Sequence, residues 1–247
     1  MQIAASNPNA YRRTAVIAGV IFLITEVTAI GGLLLYTPVL AGADYIVGAG
    51  ADTRVLLGAF LELLLAAANI GTAVVLFPVI RKQSEGIALG YVGGRILEAA
   101  MILVGTLSLV TVVSLRQIVA GTPGADVATL SAIGTSLITL RDWTFLFGPN
   151  FILGCNSFML AYLLHRAGLV PKAITIIGMV SGPMVIVSGL GVMFGLYEQL
   201  SPVGGVLGLP SLVWEVSVAL WMIFKGFAAS APIISGFARG HATPGAA

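Results

Sequence analysis

The sequence predicts an all-α protein, a polytopic membrane bundle of six transmembrane helices with both ends in the cytoplasm. Three observations predict it. Hydrophobic residues fill 58% of the 247 positions and charged residues only 9%, against about 25% charged in a soluble domain, which must face water. Six apolar stretches, 14–36, 54–80, 87–115, 143–164, 172–195 and 206–225, each reach the roughly 20 residues that cross about 30 Å of hydrocarbon. Lys and Arg are unevenly shared among the short connections, and that bias sets orientation.

The first stretch follows Arg12 and Arg13 and precedes Ala41-Gly42-Ala43, so it has the outline of a signal peptide. At 23 residues it exceeds the roughly 7 to 15 of a signal h-region, which favours a retained helix. The second and third stretches flank Arg81 and Lys82, and the fourth and fifth flank Arg166 and Lys172. With Arg12, Arg13, Lys225 and Arg239 these make eight basic residues on the side of the N-terminus. The opposite side has Arg54, Arg116 and Arg141, accompanied by Asp44, Asp52, Asp126, Asp142 and Glu198. Eight against three puts the N-terminus inside, and the even helix count returns the C-terminus to the same side.

Between the third and fourth stretches, Leu130, Ile133, Leu137 and Leu140 recur at helical spacing opposite Ser131, Thr135, Ser136 and Thr139. This fits a short amphipathic helix on the outer face or an outward extension of the fourth helix, with Asp126 as N-cap in either case. Gly86, Gly90 and Gly94 in the third helix, and Gly178 and Gly182 in the fifth, are small-xxx-small rows that let helix backbones approach closely, within one chain or between chains. Arg141-Asp142-Trp143 reads as an interface anchor with a local ion pair, and Trp214 and Trp221 as packing residues. Residues 1–227 form one transmembrane domain. Residues 228–247, rich in Ala, Gly, Ser and Pro, read as a disordered cytoplasmic tail.

The chemistry lies in charges inside the apolar runs: Glu26, Glu62, Glu98, Glu215 and Arg95. At 1.5 Å per residue, Glu26 and Glu98 lie about 18 Å from their cytoplasmic helix ends and Glu215 about 15 Å. An ionised side chain at the bilayer centre costs roughly 2.5 to 3.5 kcal/mol, so these groups must face the bundle interior. Glu98 continues the Gly86, Gly90, Gly94 row, and Gly58, Glu62, Asn69 and Thr72 share one stripe of the second helix. One internal cation faces four carboxylates. Arg95 can pair with Glu98 at i,i+3 and reach a second carboxylate on another helix. Carboxylates crowded in low dielectric resist ionising together and share protons, which makes a site able to take up a proton or a cation. The competing reading is a buried ion-pair network that only fixes helix register.

Enzyme signatures are sparse. His165 and His241 are the only histidines, one at a helix end and one in the tail, so they cannot both ligate a haem inside the bundle. No HExxH, Gly-x-Ser-x-Gly, Walker A or dinucleotide fingerprint occurs. The single cysteine, Cys155, excludes an intrachain disulfide and a Cys-based zinc site. No cofactor or metal is expected, and a net charge of +2 gives no reason to expect nucleic acid as a partner. In the fourth helix Pro149 frees a backbone carbonyl beside Asn150, with Asn156 further on; such breaks line cavities or are healed by packing.

Asp142-Trp-Thr-Phe-Leu-Phe-Gly-Pro149, Gly195-Leu-Tyr-Glu198, Trp214-Glu215, Leu220-Trp-Met-Ile-Phe-Lys225-Gly-Phe227 and Ala51-Asp-Thr-Arg54-Val-Leu-Leu-Gly-Ala-Phe-Leu-Glu62 together resemble a bacterial multi-pass membrane family catalogued only as a domain of unknown function, number 4386. The resemblance spans residues 12–227. It implies a protein of the bacterial cytoplasmic (inner) membrane with about this helix count, and it carries over no activity and no catalytic residue.

The function expected from the residues is a small transporter or a proton- or cation-linked membrane protein. Its polar relay would comprise Glu26, Glu62, Asn69, Arg95, Glu98, Asn150 and Glu215. A non-catalytic membrane scaffold is the alternative. An intramembrane enzyme is third, since carboxylates can act as acid and base but no nucleophile accompanies them. The lipid bilayer is the expected partner; a small-molecule or ion substrate and a homo-oligomer are left open.

Overall fold

Apolar side chains cover the outside of this protein as well as its interior. In the computed structural model, which describes residues 8–42, 44–48 and 50–234, Val27, Val74, Leu107 and Val187 are 62 to 70% exposed. A surface of that kind suits hydrocarbon, where the helix is one of the few structures that satisfies every backbone N–H and C=O internally.

The long helices are α1 (Pro8–Leu35), α4 (Asp52–Ile80), α5 (Glu85–Gly121), α8 (Lys172–Met193) and α9 (Pro202–Phe224), with two short helices, α2 (Thr37–Leu40) and α3 (Asp44–Val47), after α1. The fourth span is composite: α6 (Val127–Phe145), a π-helix (Leu146–Ile152) and α7 (Leu153–Ala167) run without a break. Six spans are long and apolar enough to cross a bilayer. The shortest, α8 at 22 residues, covers about 33 Å. Among the described residues there is no strand.

The spans form a closed ring in which chain neighbours pack together and α1 also meets α9. Arginines fasten two helix C-termini, where the last carbonyls lack intrahelical donors. Arg12 donates to the carbonyls of Met222, Ile223 and Phe224 at 3.1, 2.8 and 3.2 Å, tying the start of α1 to the end of α9. Arg54 donates to the Leu34 carbonyl at 2.8 Å. Both ends of the bundle's chain therefore lie on one face.

The expected helix between the third and fourth spans is the extension of the fourth helix. Asp126 caps it, accepting from the Thr129 amide at 3.1 Å and its hydroxyl at 2.6 Å. Those two bonds, the hydroxyl's first, hold the Asp126 carboxyl below its usual range. The π-helix begins three residues before Pro149. A proline ring collides with the carbonyl four residues back and leaves it without a donor; a wider turn removes the collision, and the Leu153 amide accordingly reaches the Gly148 carbonyl.

The small-residue rows act within the chain. Gly154 and Gly182 face each other so closely that a Cβ on either would lie 2.5 to 2.6 Å from the other's carbonyl oxygen. Gly178 makes room for the Trp214 ring, which is fully buried. In α5, Gly90 faces the Met159 sulfur and Gly94 faces Asn156, whereas Gly86 faces open space. The row is thus shorter than its spacing implies, because α7 reaches only Gly90 and Gly94.

One apolar core lies toward the chain-end face around Phe22, Leu76, Tyr91, Leu160 and Trp214. A second, roofed by α2 and α3, surrounds Tyr36, Val55, Leu109 and Val112. In the roof, Asp52 accepts from Tyr45 at 2.7 Å and pairs with Arg116 at 2.8 Å; burial, reinforced by the bond to Asp52, pushes the Tyr45 phenol above its usual range. The segment after α9 also packs: Ala228 donates to the Leu169 carbonyl at 3.0 Å and Ala231 is buried. The first seven residues assigned to the expected tail therefore belong to the folded body, and Arg239, His241 and the rest of it lie outside the described residues.

Candidate functional site

Between the two cores, the inward face of α5 presents Tyr91, Arg95, Glu98 and Thr106 in sequence. All four are buried. One-turn spacing puts Arg95 beside Tyr91 and Glu98, and each group then meets a different neighbour.

Arg95 is the hub of the first cluster. Its Nη1 donates to Asn69 Oδ1 and to Glu98 Oε2, each at 3.2 Å, its Nη2 to Glu215 Oε1 at 3.4 Å, and its Nε to the Tyr91 hydroxyl at 3.3 Å. Glu98 also accepts from Asn69 Nδ2 at 3.2 Å and Asn156 Nδ2 at 2.8 Å. The Phe22 ring lies under the guanidinium, 5.4 Å from its centre. Four helices thus contribute polar groups: α4 (Asn69), α5 (Tyr91, Arg95, Glu98), α7 (Asn156) and α9 (Glu215). From a fifth, α1, the half-buried Glu26 interacts electrostatically with Glu215, Arg95 and Glu98.

Glu62 lies apart. It accepts from the Thr106 hydroxyl at 2.6 Å and the Tyr36 hydroxyl at 3.0 Å, and Thr106 is two turns, about 12 Å, beyond Glu98 on α5. The cation that acts on it is Arg141, which interacts electrostatically with both Glu62 and Tyr36. The expectation of a single internal cation is therefore corrected: the bundle holds two. Arg141 is 2% exposed, its guanidinium stacked 4.3 Å from the Phe145 ring. Its local pair with Asp142 is present at 3.6 Å, but only Asp142 and Trp143 keep the exposed position of an interface anchor. The physical reason is the length of the fourth span. Starting at Val127, it places Arg141 more than three turns inside a helix, not at its end.

Of the expected relay residues, Glu26, Asn69, Arg95, Glu98 and Glu215 come together, Glu62 forms its own station, and Asn150 joins neither. Asn150 lines a separate cavity of about 270 Å³ between the π-helix, α8 and α9. The amide of the fourth span that meets Glu98 is Asn156, more than one and a half turns further on. Its signal was a polar residue opposite the Gly90–Gly94 row. Tyr36, Tyr91 and Thr106 gave no signal of their own, since hydroxyls are common in membrane helices. Among the described residues, no group of three or more His, Cys, Asp or Glu is arranged to hold a metal.

Six spans around two buried polar stations define a polytopic α-helical membrane protein. The chain belongs to the family of the domain of unknown function DUF4386, which it matches over residues 17–226. No curated protein and no solved structure matches it.

Proposed function

We propose that the protein is a small proton- or cation-linked membrane protein, of transporter type, in which the Arg95 cluster and the Glu62 station are two stops for a transported charge. One observation carries this reading: Glu98 and Glu215 share the single guanidinium of Arg95, and a third carboxyl, Glu26, interacts electrostatically with Glu215. Three acids around one cation exceed its charge, so the cluster is a place where a proton or a cation is taken up. Arg95 holds Glu98 and Glu215 at fixed positions, and the Glu62 hydroxyl partners form a second carboxylate site nearer the opposite face.

The protein then resides in a bacterial inner membrane with both ends in the cytoplasm, the arrangement that places eight of the basic residues inside. The native Cys155 replaced by Ser gives a background for single cysteines between Arg81 and Glu85 and between Arg166 and Lys172. Neither should react with a membrane-impermeant maleimide in intact cells; labelling of either from outside overturns the orientation. For activity, purified protein in liposomes loaded with a pH-sensitive dye should dissipate an imposed proton or sodium gradient, and Glu215→Gln should abolish the flux. Flux equal to that of empty liposomes overturns the relay.

A second reading is favoured by the close packing of Arg95, Glu98 and Asn156, each at most 3% exposed. A static network of this kind fixes helix register in a non-catalytic scaffold. It predicts no flux and a large loss of stability on any change at Arg95.

A further inference from the structure

On the face opposite the chain ends, a cavity of about 560 Å³ opens between α6, the end of α8 and the connection 194–201. Its size is that of a small-molecule site. Leu40, Leu146, Val192 and Leu200 supply apolar wall, and Arg141 and Gln199 bring nitrogen-bearing side chains, Gln199 standing between this cavity and the one beside Asn150. Arg141 Nη2 and Gln199 Nε2 are both buried and neither makes a hydrogen bond. Such donors are costly to bury unpaired, and more so when charged. Two residues of one cavity wall, from different elements, each carry such a donor, an arrangement that an acceptor with two oxygens completes.

The structure assigns this cavity as a binding site for an amphiphile with a singly charged oxyanion, whose oxygens accept from Arg141 Nη2 and Gln199 Nε2 while its apolar body lies against the leucines and Val192. A carboxylate and a phosphodiester share this chemistry. The exposed carboxylates of Asp142 and Glu198 at the same cavity select against a second negative charge, by like-charge repulsion. Asp142 already offsets part of the Arg141 charge, which again suits one negative charge and not two. Nothing in this assignment depends on the carboxylate relay.

Trp143, which lines the cavity, is the reporter. Intact protein in neutral detergent is titrated with dibromostearate, with brominated phosphatidylglycerol and with methyl dibromostearate, and the bromine quenching lost in Trp143→Phe is taken as the site's signal. Either acid should quench saturably, and whichever saturates at lower concentration identifies a free acid or a lipid headgroup as the source. The methyl ester should need at least tenfold more. Gln199→Leu, which removes one donor on the loop and leaves the buried arginine untouched, should weaken acid binding about tenfold. Equal quenching by ester and acids, or an unchanged midpoint in Gln199→Leu, overturns the site.

Discussion

Asn156 on α7 donates to Glu98 on α5 at 2.8 Å, and the glycine opposite it, Gly94, is what leaves room for the amide. A Cβ at position 94 would fall on Asn156 Oδ1. The glycine row and the buried carboxylate are thus parts of one construction: close helix approach brings the amide to the acid.

Gly94→Ala should therefore be costly and Gly86→Ala, where a Cβ meets open space, should be neutral. Overpacking of a tight contact costs about 1 to 3 kcal/mol. Thermal unfolding in detergent, followed by intrinsic fluorescence, measures the difference. Equal melting temperatures for the two variants would show that the α5–α7 contact is loose. Gly90→Leu should fall between full tolerance and Gly94→Ala only if the Met159 side chain swings away from its 3.2 Å approach; otherwise folded yield drops.

Arg95→Ala should be the most damaging single change in the first cluster. It strands Glu98 and Glu215 together, and breaking a buried pair costs about 3 to 5 kcal/mol. Glu98→Gln keeps the shape and an acceptor for one of the two amides, so its loss should be smaller. Infrared difference spectra in the carboxylic-acid stretch region supply a readout beyond stability: Arg95→Ala should raise the protonated-acid band at neutral pH, because the carboxylates lose their counter-charge. A spectrum and melting temperature unchanged by Arg95→Ala would remove the guanidinium from its role as hub.

The first turn of α6 should be acid-sensitive. Asp126 accepts from Thr129 as a carboxylate, and its ionisation is shifted down in the folded state. The cap's contribution is then present above the unfolded value of about 3.9 and is lost as pH falls through the lower folded value. Amide exchange at residues 127–130, corrected for the intrinsic rate, should show normal protection at pH 6 and fraying at strongly acid pH. Asp126→Ala should fray at both. PH-independent protection in the native protein would mean that the cap is not holding the turn.

Much of this architecture was legible in the chain alone. Six apolar runs and the scarcity of charge determine a helical membrane bundle, since hydrocarbon offers backbone groups no other partner. The depth of Glu26, Glu62, Glu98 and Glu215 follows from counting along those runs, and the i,i+3 pair of Arg95 and Glu98 from helix geometry. Tertiary structure decided how the charges are divided. Which acid meets which cation depends on helix rotation and crossing, set by contacts such as Gly154 against Gly182 that no single-helix pattern contains. It also decided the standing of Arg141: hydropathy begins the fourth run at Trp143, but Asp126 caps a helix that begins 16 residues earlier, at Val127, and turns that arginine inward. Asn150 and Asn156 show the same limit. Both are amides in one apolar helix, six residues apart and so on different faces, and the packing of that span determines that Asn156 reaches Glu98 while Asn150 lines the cavity beside α8.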